Sequence, residues 1–368
     1  MNKLVWIAVL ILVVIGLVIL SGKSGPTETG PIRIGASLPL TGEAASYGEI
    51  TKSGIDLAVK EVNDAGGIDG RMIEIIYEDD KCDTTGSNVF NKLVNIDKVD
   101  AIIGPVCSSA AGPGVPIAQS GKVPTIIWAS APGLTKAGDY IFRTYPSDSF
   151  QGKYAAEYAF NNLGKKNVAI IYVKNDWGQG LHDVFAQTFT ALGGKIVYDE
   201  SVSQDSTDLR TQITKAKSAN PDLIYYPMYP AGAIAGLKQM KTLGISVPIM
   251  GGDAFDVTEV TSVPEADGVL LTFGKLNNPE DFKAKIKAFN GKDSGLFTPM
   301  GYDVIKILAS VMNKVGTDKS KVKDALQKLS YTQGTALPKI EFDSDGDLST
   351  AQIEMRVIRE GKTQPYSQ

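Results

Sequence analysis

The sequence predicts a two-lobed α/β protein, each lobe a mostly parallel sheet flanked by helices, the two joined by a hinge that the chain crosses more than once. Three observations lead there. Short apolar runs with strand character alternate with stretches of helical spacing along nearly the whole chain. That order restarts near Phe150, as a second run of the same grammar. Two segments, 145–148 and 271–275, read as crossings between the runs.

Taken in order, residues 32–38 alternate as a strand, 54–63 have helical spacing, and 72–77 are strand-like again, with Gly66 and Gly67 punctuating between them. A helix over 86–94, a buried strand over 101–104, a helix over 111–119 and a strand over 124–128 complete the first run. The second run places helices over 151–161, 180–192, 208–218 and 231–243 between strands over 167–173, 195–201, 223–228 and 248–251. Helices over 281–289 and 302–315 come after the second crossing. The chain therefore divides into residues 1–31 as an N-terminal segment and tether, 32–146 with 275–338 as the first lobe, and 147–274 with 339–366 as the second. Two α/β lobes on a hinge make a clamp that closes.

The N-terminus sets the compartment. After a short positive start ending at Lys3, residues 4–20 are an unbroken apolar run with a single Gly16, which meets a membrane. It is either the apolar core of a secretory signal or an uncleaved anchor, and its length favours the anchor. The chain beyond it is extracytoplasmic in both cases, in a periplasm or at the cell surface. A lipid-bearing cysteine after the run is excluded because the first cysteine is Cys82. Residues 21–31, rich in Gly, Ser, Thr and Pro, read as a flexible tether.

Composition removes several classes of function. Net charge is −4 and no basic stripe occurs, so nucleic acid is not a partner. Cys82 and Cys107 are the only cysteines, and in an exported chain such a pair is expected to be joined. The only histidine, His182, falls on a helix and reads as an exposed structural residue, which leaves a triad or metal site without a second imidazole. The run Asp343-Ser344-Asp345-Gly346-Asp347 has its glycine in the wrong place for a calcium loop and reads as a turn. No phosphate-binding glycine fingerprint follows a strand. The expectation is a binding protein, not an enzyme, with no cofactor and no metal.

In parallel sheets, ligands bind beyond the carboxyl ends of the strands, where loops and helix starts present free donors. At those ends stand Ser108, Ser109 and Ser130, suited to a carboxylate, the aromatics Tyr47, Trp177 and Tyr229, and one acid, Asp253. Donors, an apolar cage and a carboxylate together describe a pocket for a zwitterion with an apolar tail. Each residue also has a structural alternative: the serines as helix caps, the aromatics as core, and Asp253 as the start of the next helix.

At these residues the chain resembles the periplasmic leucine, isoleucine and valine binding proteins, the type I solute receptors of ABC transporters. The resemblance runs from Ile32 almost to the C-terminus. It is carried by Pro39-Leu40-Thr41-Gly42, Ala65-Gly66-Gly67-Ile68, Asp79-Asp80-Lys81-Cys82-Asp83, Gly104-Pro105-Val106-Cys107-Ser108-Ser109, Trp177-Gly178-Gln179-Gly180 and Gly251-Gly252-Asp253. It implies the type I periplasmic binding protein fold and a disulfide between Cys82 and Cys107. It also implies ligand contacts at Ser108 and Ser130 for the carboxylate, Asp253 for the ammonium, and Tyr47, Tyr229 and Phe297 around the side chain. Trp177 replaces the family's stacking tyrosine, and Trp128 stands where the family usually has a small residue whose carbonyl faces the ligand. The implied function is capture of a small amino acid, branched-chain or similarly apolar, and its delivery to an ABC transporter permease. The alternative is an amino acid or amide sensor acting through a partner signalling protein.

Overall fold

The computed structural model describes residues 30–367. The N-terminal apolar run and nearly all of the tether lie outside the described residues, and with them the expectation of a signal or anchor. Among the described residues no helix is long and apolar enough to cross a membrane. Residues Ile32–Gln368 form one compact unit containing two main sheets.

The first sheet is wholly parallel. Strand β1 (Ile32–Leu38) lies between β2 (Ile73–Asp79) and β3 (Ala101–Ile103), with β4 (Thr125–Ile127) and β5 (Ile141–Arg143) beyond, in the order β2-β1-β3-β4-β5. Ile32, Ile34, Ala36 and Leu38 are completely buried on one face of β1 and Ser37 on the other, while Arg33 at its start is exposed. Helix α1 (Ala45–Asp64) crosses from β1 to β2. It starts nine residues before the predicted helix, because its first turns carry Tyr47, Gly48 and Thr51 inward in a stretch that lacks regular apolar spacing. Helix α2 (Gly86–Asn91) precedes β3. Helix α3 (Ser108–Ser120) begins three residues earlier than its apolar pattern, with Cys107 as its extended N-cap and Pro113 and Pro116 inside it.

The chain then passes over to the second half through residues 144–147. Helix α4 (Asp148–Glu157) is capped by the Ser147 hydroxyl, which accepts from the Ser149 amide. It continues as a π-turn, Tyr158–Asn162, where the sequence pattern predicts one helix over 151–161. Strand β6 (Asn167–Val173), helix α5 (Asp176–Ala191), β7 (Lys195–Val202), α6 (Arg210–Ser218), β8 (Leu223–Tyr225), α7 (Pro230–Thr242) and β9 (Ile249–Gly251) come next in the predicted alternation. Two short elements, a 3-10 turn at Asp253–Phe255 and helix α8 (Thr258–Thr261), lead on.

Residues 271–275 do not form the crossing that the sequence suggested. Residues Leu270–Gly274 are β10, buried throughout, parallel to β9 and antiparallel to a later strand. A short apolar run bounded by turns looks alike in a strand and in a buried connection, and only its neighbours settle which it is. The chain recrosses after Gly274 to α9 (Glu280–Asn290), α10 (Thr298–Val315), α11 (Lys319–Gln327) and the small pair β11 (Ser330–Tyr331) and β12 (Ile340–Glu341). A third passage leads to the hairpin β13 (Ile353–Arg359) and β14 (Lys362–Pro365), which extends the second sheet antiparallel beyond β10. Its order is β14-β13-β10-β9-β8-β6-β7.

Three passages side by side make the hinge. Arg143, completely buried, fastens it: its Nε donates to Asp347 at 2.6 Å and its Nη1 to the carbonyls of Ala129 and Ala131. Asp347 belongs to the 343–347 run, which is a turn held by the Asp343 carboxylate accepting from the Asp345 and Asp347 amides. Helices α1 and α10 pack against each other at Gly54, where a Cβ would stand 1.8 Å from the Thr298 carbonyl oxygen. His182 is not exposed. Its side chain is 13% accessible, stacked on Tyr172 and bound on both ring nitrogens to Asp183 and Asp199.

Candidate functional site

The carboxyl ends of both sheets face one another across a cavity of about 30 Å³. Parallel strands point their carbonyl ends one way, so the loops beyond them converge without any sequence proximity. From the first half come Tyr47 on α1, Ser108 at the start of α3, Trp128 and Ser130 after β4, and Phe297 before α10. From the second half come Trp177 at the start of α5, Tyr229 before α7, and Asp253 after β9. Eight of the nine residues singled out in the sequence therefore line one cavity. Ser109 does not: it is buried beside the site with its hydroxyl unpartnered.

The Cys82–Cys107 disulfide, with Cα atoms 5.1 Å apart, ties the loop after β2 to the residue preceding Ser108. It fixes where α3 begins. The first-turn amides of a helix have no acceptor within it, and here they start at the cavity wall. The Ser108 hydroxyl accepts from the Ala131 amide at 3.1 Å, which leaves its O–H free to donate. The Trp128 and Ala129 amides are both taken by the Pro105 carbonyl, locking that loop, while the indole N–H of Trp128 is buried without an acceptor.

The opposite wall is aromatic and acidic. Trp177 and Tyr229 stack with ring centroids 5.0 Å apart and planes within 12°. Tyr47 meets Phe297 edge-on, and its hydroxyl donates to the Ala254 carbonyl at 2.8 Å, joining the two halves across the cavity. Asp253 is 6% exposed. Its Oδ2 accepts from the Tyr145 hydroxyl at 2.6 Å and its Oδ1 from the Gln151 amide at 3.1 Å. Burial raises its carboxyl above the usual range, and these two donors oppose that rise.

Sequence reasoning missed Tyr145 and Gln151. Tyr145 stood in the segment read as a crossing, and Gln151 carries only a faint signal, three residues after Asp148 on the same helical face. Asp253 is also not the only acid here: Asp148, at the start of α4, is completely buried, and the charge of Asp253 acts on it. Donors on one wall, an acid on the other and aromatic rings between them can receive a carboxylate, an ammonium and an apolar tail together. No nucleophile with an adjacent base lines the cavity.

The sequence profile of the periplasmic binding protein family matches residues 31–362. The leucine-, isoleucine-, valine-, threonine- and alanine-binding protein of Pseudomonas aeruginosa is 31% identical over 328 residues, covering 86% of this chain and 87% of that protein. The leucine binding protein LivK of Thermotoga maritima superposes with a TM-score of 0.84 at 27% identity, covering 91% of this chain and 98% of its own. The branched-chain amino acid transporter substrate binding protein LivJ of Streptococcus pneumoniae, solved with isoleucine, has a TM-score of 0.82 at 29% identity, with the same coverages of 91% and 98%.

Proposed function

We propose, because this chain belongs to the periplasmic binding protein family, that it captures a small apolar amino acid outside the cytoplasm and hands it to an ABC transporter. The family is one of solute-binding proteins, not of enzymes, and its place is extracytoplasmic. The observation that carries the amino acid reading is the arrangement of the walls: the Ser108 and Ser130 hydroxyls and the start of α3 on one side, buried Asp253 on the other, the Trp177–Tyr229 stack between. The Ser108 hydroxyl and the helix amides take the carboxylate, Asp253 takes the ammonium, and the rings exclude water from the side chain. Carboxylate and ammonium reach opposite halves, so the ligand favours the closed clamp by contacts made only there.

The size of the cavity refines the class. About 30 Å³ is room for about two or three water molecules, and the bulky, buried Trp128 lines it. The Pseudomonas relative is named for ligands from leucine down to alanine; a cavity of this size fits the small end of that range. Differential scanning fluorimetry against glycine, L-alanine, L-valine, L-leucine and the matching amine-free acids tests the reading. A ligand at a thousandfold excess over its Kd stabilises by about 4 kcal/mol, a shift of several degrees. Stabilisation by amine-free acids alone would replace an amino acid with an organic acid as the solute.

A further inference from the structure

Behind the wall that carries Ser130 lies an acid the binding scheme does not use. Asp148 opens α4, and its amide donates to the Ser130 carbonyl at 2.8 Å. The Ser130 hydroxyl comes near its carboxyl without closing a well-formed hydrogen bond, so both carboxyl oxygens are buried with no donor. An ionised carboxylate in that condition is among the least tolerable groups a protein interior can hold.

Its charge state is set by few neighbours. Asp253, after β9, repels a second negative charge; Arg143 on β5 favours one, but its Nε is engaged by Asp347 and its Nη1 by two carbonyls, and it closes no hydrogen bond to Asp148. Tyr145, Tyr225 and Tyr229 look toward both acids as neutral phenols, held so by burial and by those acids. Helix α5 presents Gly180 to it, while His182 on that helix is bound to Asp183 and Asp199. Strand β10 carries no titratable residue, and on β13 Glu354 pairs with Arg356.

We propose that Asp148 is a positioning residue of the ligand site: with Asp253 it shares one proton while no cationic group is bound, releases that proton when an ammonium arrives, and then orients the Ser130 hydroxyl. The proposal rests on the amino acid reading above. With both oxygens buried and no donor, Asp148 keeps its proton, and burial followed by the charge of Asp253 holds it well above the ordinary carboxyl range. An incoming ammonium supplies the positive charge that lets the second carboxyl ionise; the proton goes to solvent. Ionised Asp148 accepts from the Ser130 hydroxyl, which turns the serine lone pairs toward the ammonium.

Titration calorimetry with L-alanine, L-valine and L-leucine, in phosphate and in Tris from about pH 5 to 8, tests this. The wild type should release about one proton per ligand, with affinity rising by about tenfold per pH unit where the release occurs. Asp148→Asn, folded by circular dichroism, should bind with no buffer-dependent heat and an affinity within about twofold across the range. A merely structural role would shift affinity uniformly and keep the slope, which overturns the proposal. Wild-type binding heats identical in both buffers also overturn it, so it stays falsifiable if the variant does not fold. Absence of binding to all three probes removes the amino acid reading and this proposal together, whereas binding without proton release removes this proposal alone.

Discussion

Asp253 decides whether the bound solute carries an amine. The perturbation is Asp253→Asn, which keeps the shape and removes the charge. Asp253 is 6% exposed and holds its position through Tyr145 at 2.6 Å and Gln151 at 3.1 Å. The asparagine Oδ1 still accepts from Tyr145, and a flip of the Gln151 amide satisfies the new Nδ2, so the fold has little to lose. The like charge facing Asp148 disappears as well, and the melting temperature should hold or rise. A ligand ammonium in the closed cleft would then be a desolvated cation without its counter-charge. Breaking a buried pair from one side costs about 3 to 5 kcal/mol, and tenfold in affinity is about 1.4 kcal/mol, so binding of an amino acid should weaken by about 100- to 1000-fold or more. Titration calorimetry on wild type and variant, with L-valine and with isobutyrate as its amine-free counterpart, reads this directly. Equal affinity of both proteins for the natural ligand would refute the reasoning and point to an amide or organic acid.

Four further outcomes can be measured. Unfolded, unreduced protein should show no free thiol, and reduction of Cys82–Cys107, whose residues are 25 apart, should lower stability by about 3 to 4 kcal/mol in chemical denaturation. Asp80 is completely buried, and its carboxyl is raised from 3.8 to about 6, chiefly by burial. The folded state thus holds this proton more tightly than the unfolded chain, and the stability it lends is complete below about pH 4 and lost as pH rises through about 6. Asp80→Asn, whose amide can still serve the Cys82 amide and the Ser37 hydroxyl, should match wild type in urea unfolding near pH 4 and exceed it by about 2 to 3 kcal/mol at pH 7. Gly54→Ala drives a methyl to 1.8 Å from the Thr298 carbonyl oxygen, must part α1 from α10, and should destabilise by about 1 to 3 kcal/mol or more. Tyr47→Phe removes the hydrogen bond to the Ala254 carbonyl that spans the cleft, worth about 1 kcal/mol. Small-angle scattering should then find the unliganded variant more open than the wild type, and an unchanged radius of gyration would deny that bond a part in closure.

What the sequence determined by itself is what depends on local spacing. The mostly buried apolar runs of β1 and β6 and the amphipathic stretches of α5 and α10 announce themselves, and their alternation implies parallel sheets. A parallel sheet has one carboxyl end, so Tyr47, Ser108, Trp177, Tyr229 and Asp253 could be placed in a common cleft without knowing a single distance. Tertiary structure alone decided the rest, where one short segment permits two environments. Residues 270–274 became a strand because β9 and β13 stand on either side, and the first turns of α1 formed because Tyr47 had a partner ring in Phe297. The same holds for the acids. Tyr145 and Gln151 reach Asp253 across 108 and 102 residues of sequence, and the charge of Asp253 acts on Asp148 at the start of α4. Hydrogen bonds and charge repulsion act over a few ångströms of space, and no periodicity along the chain encodes which distant groups the fold will bring within that reach.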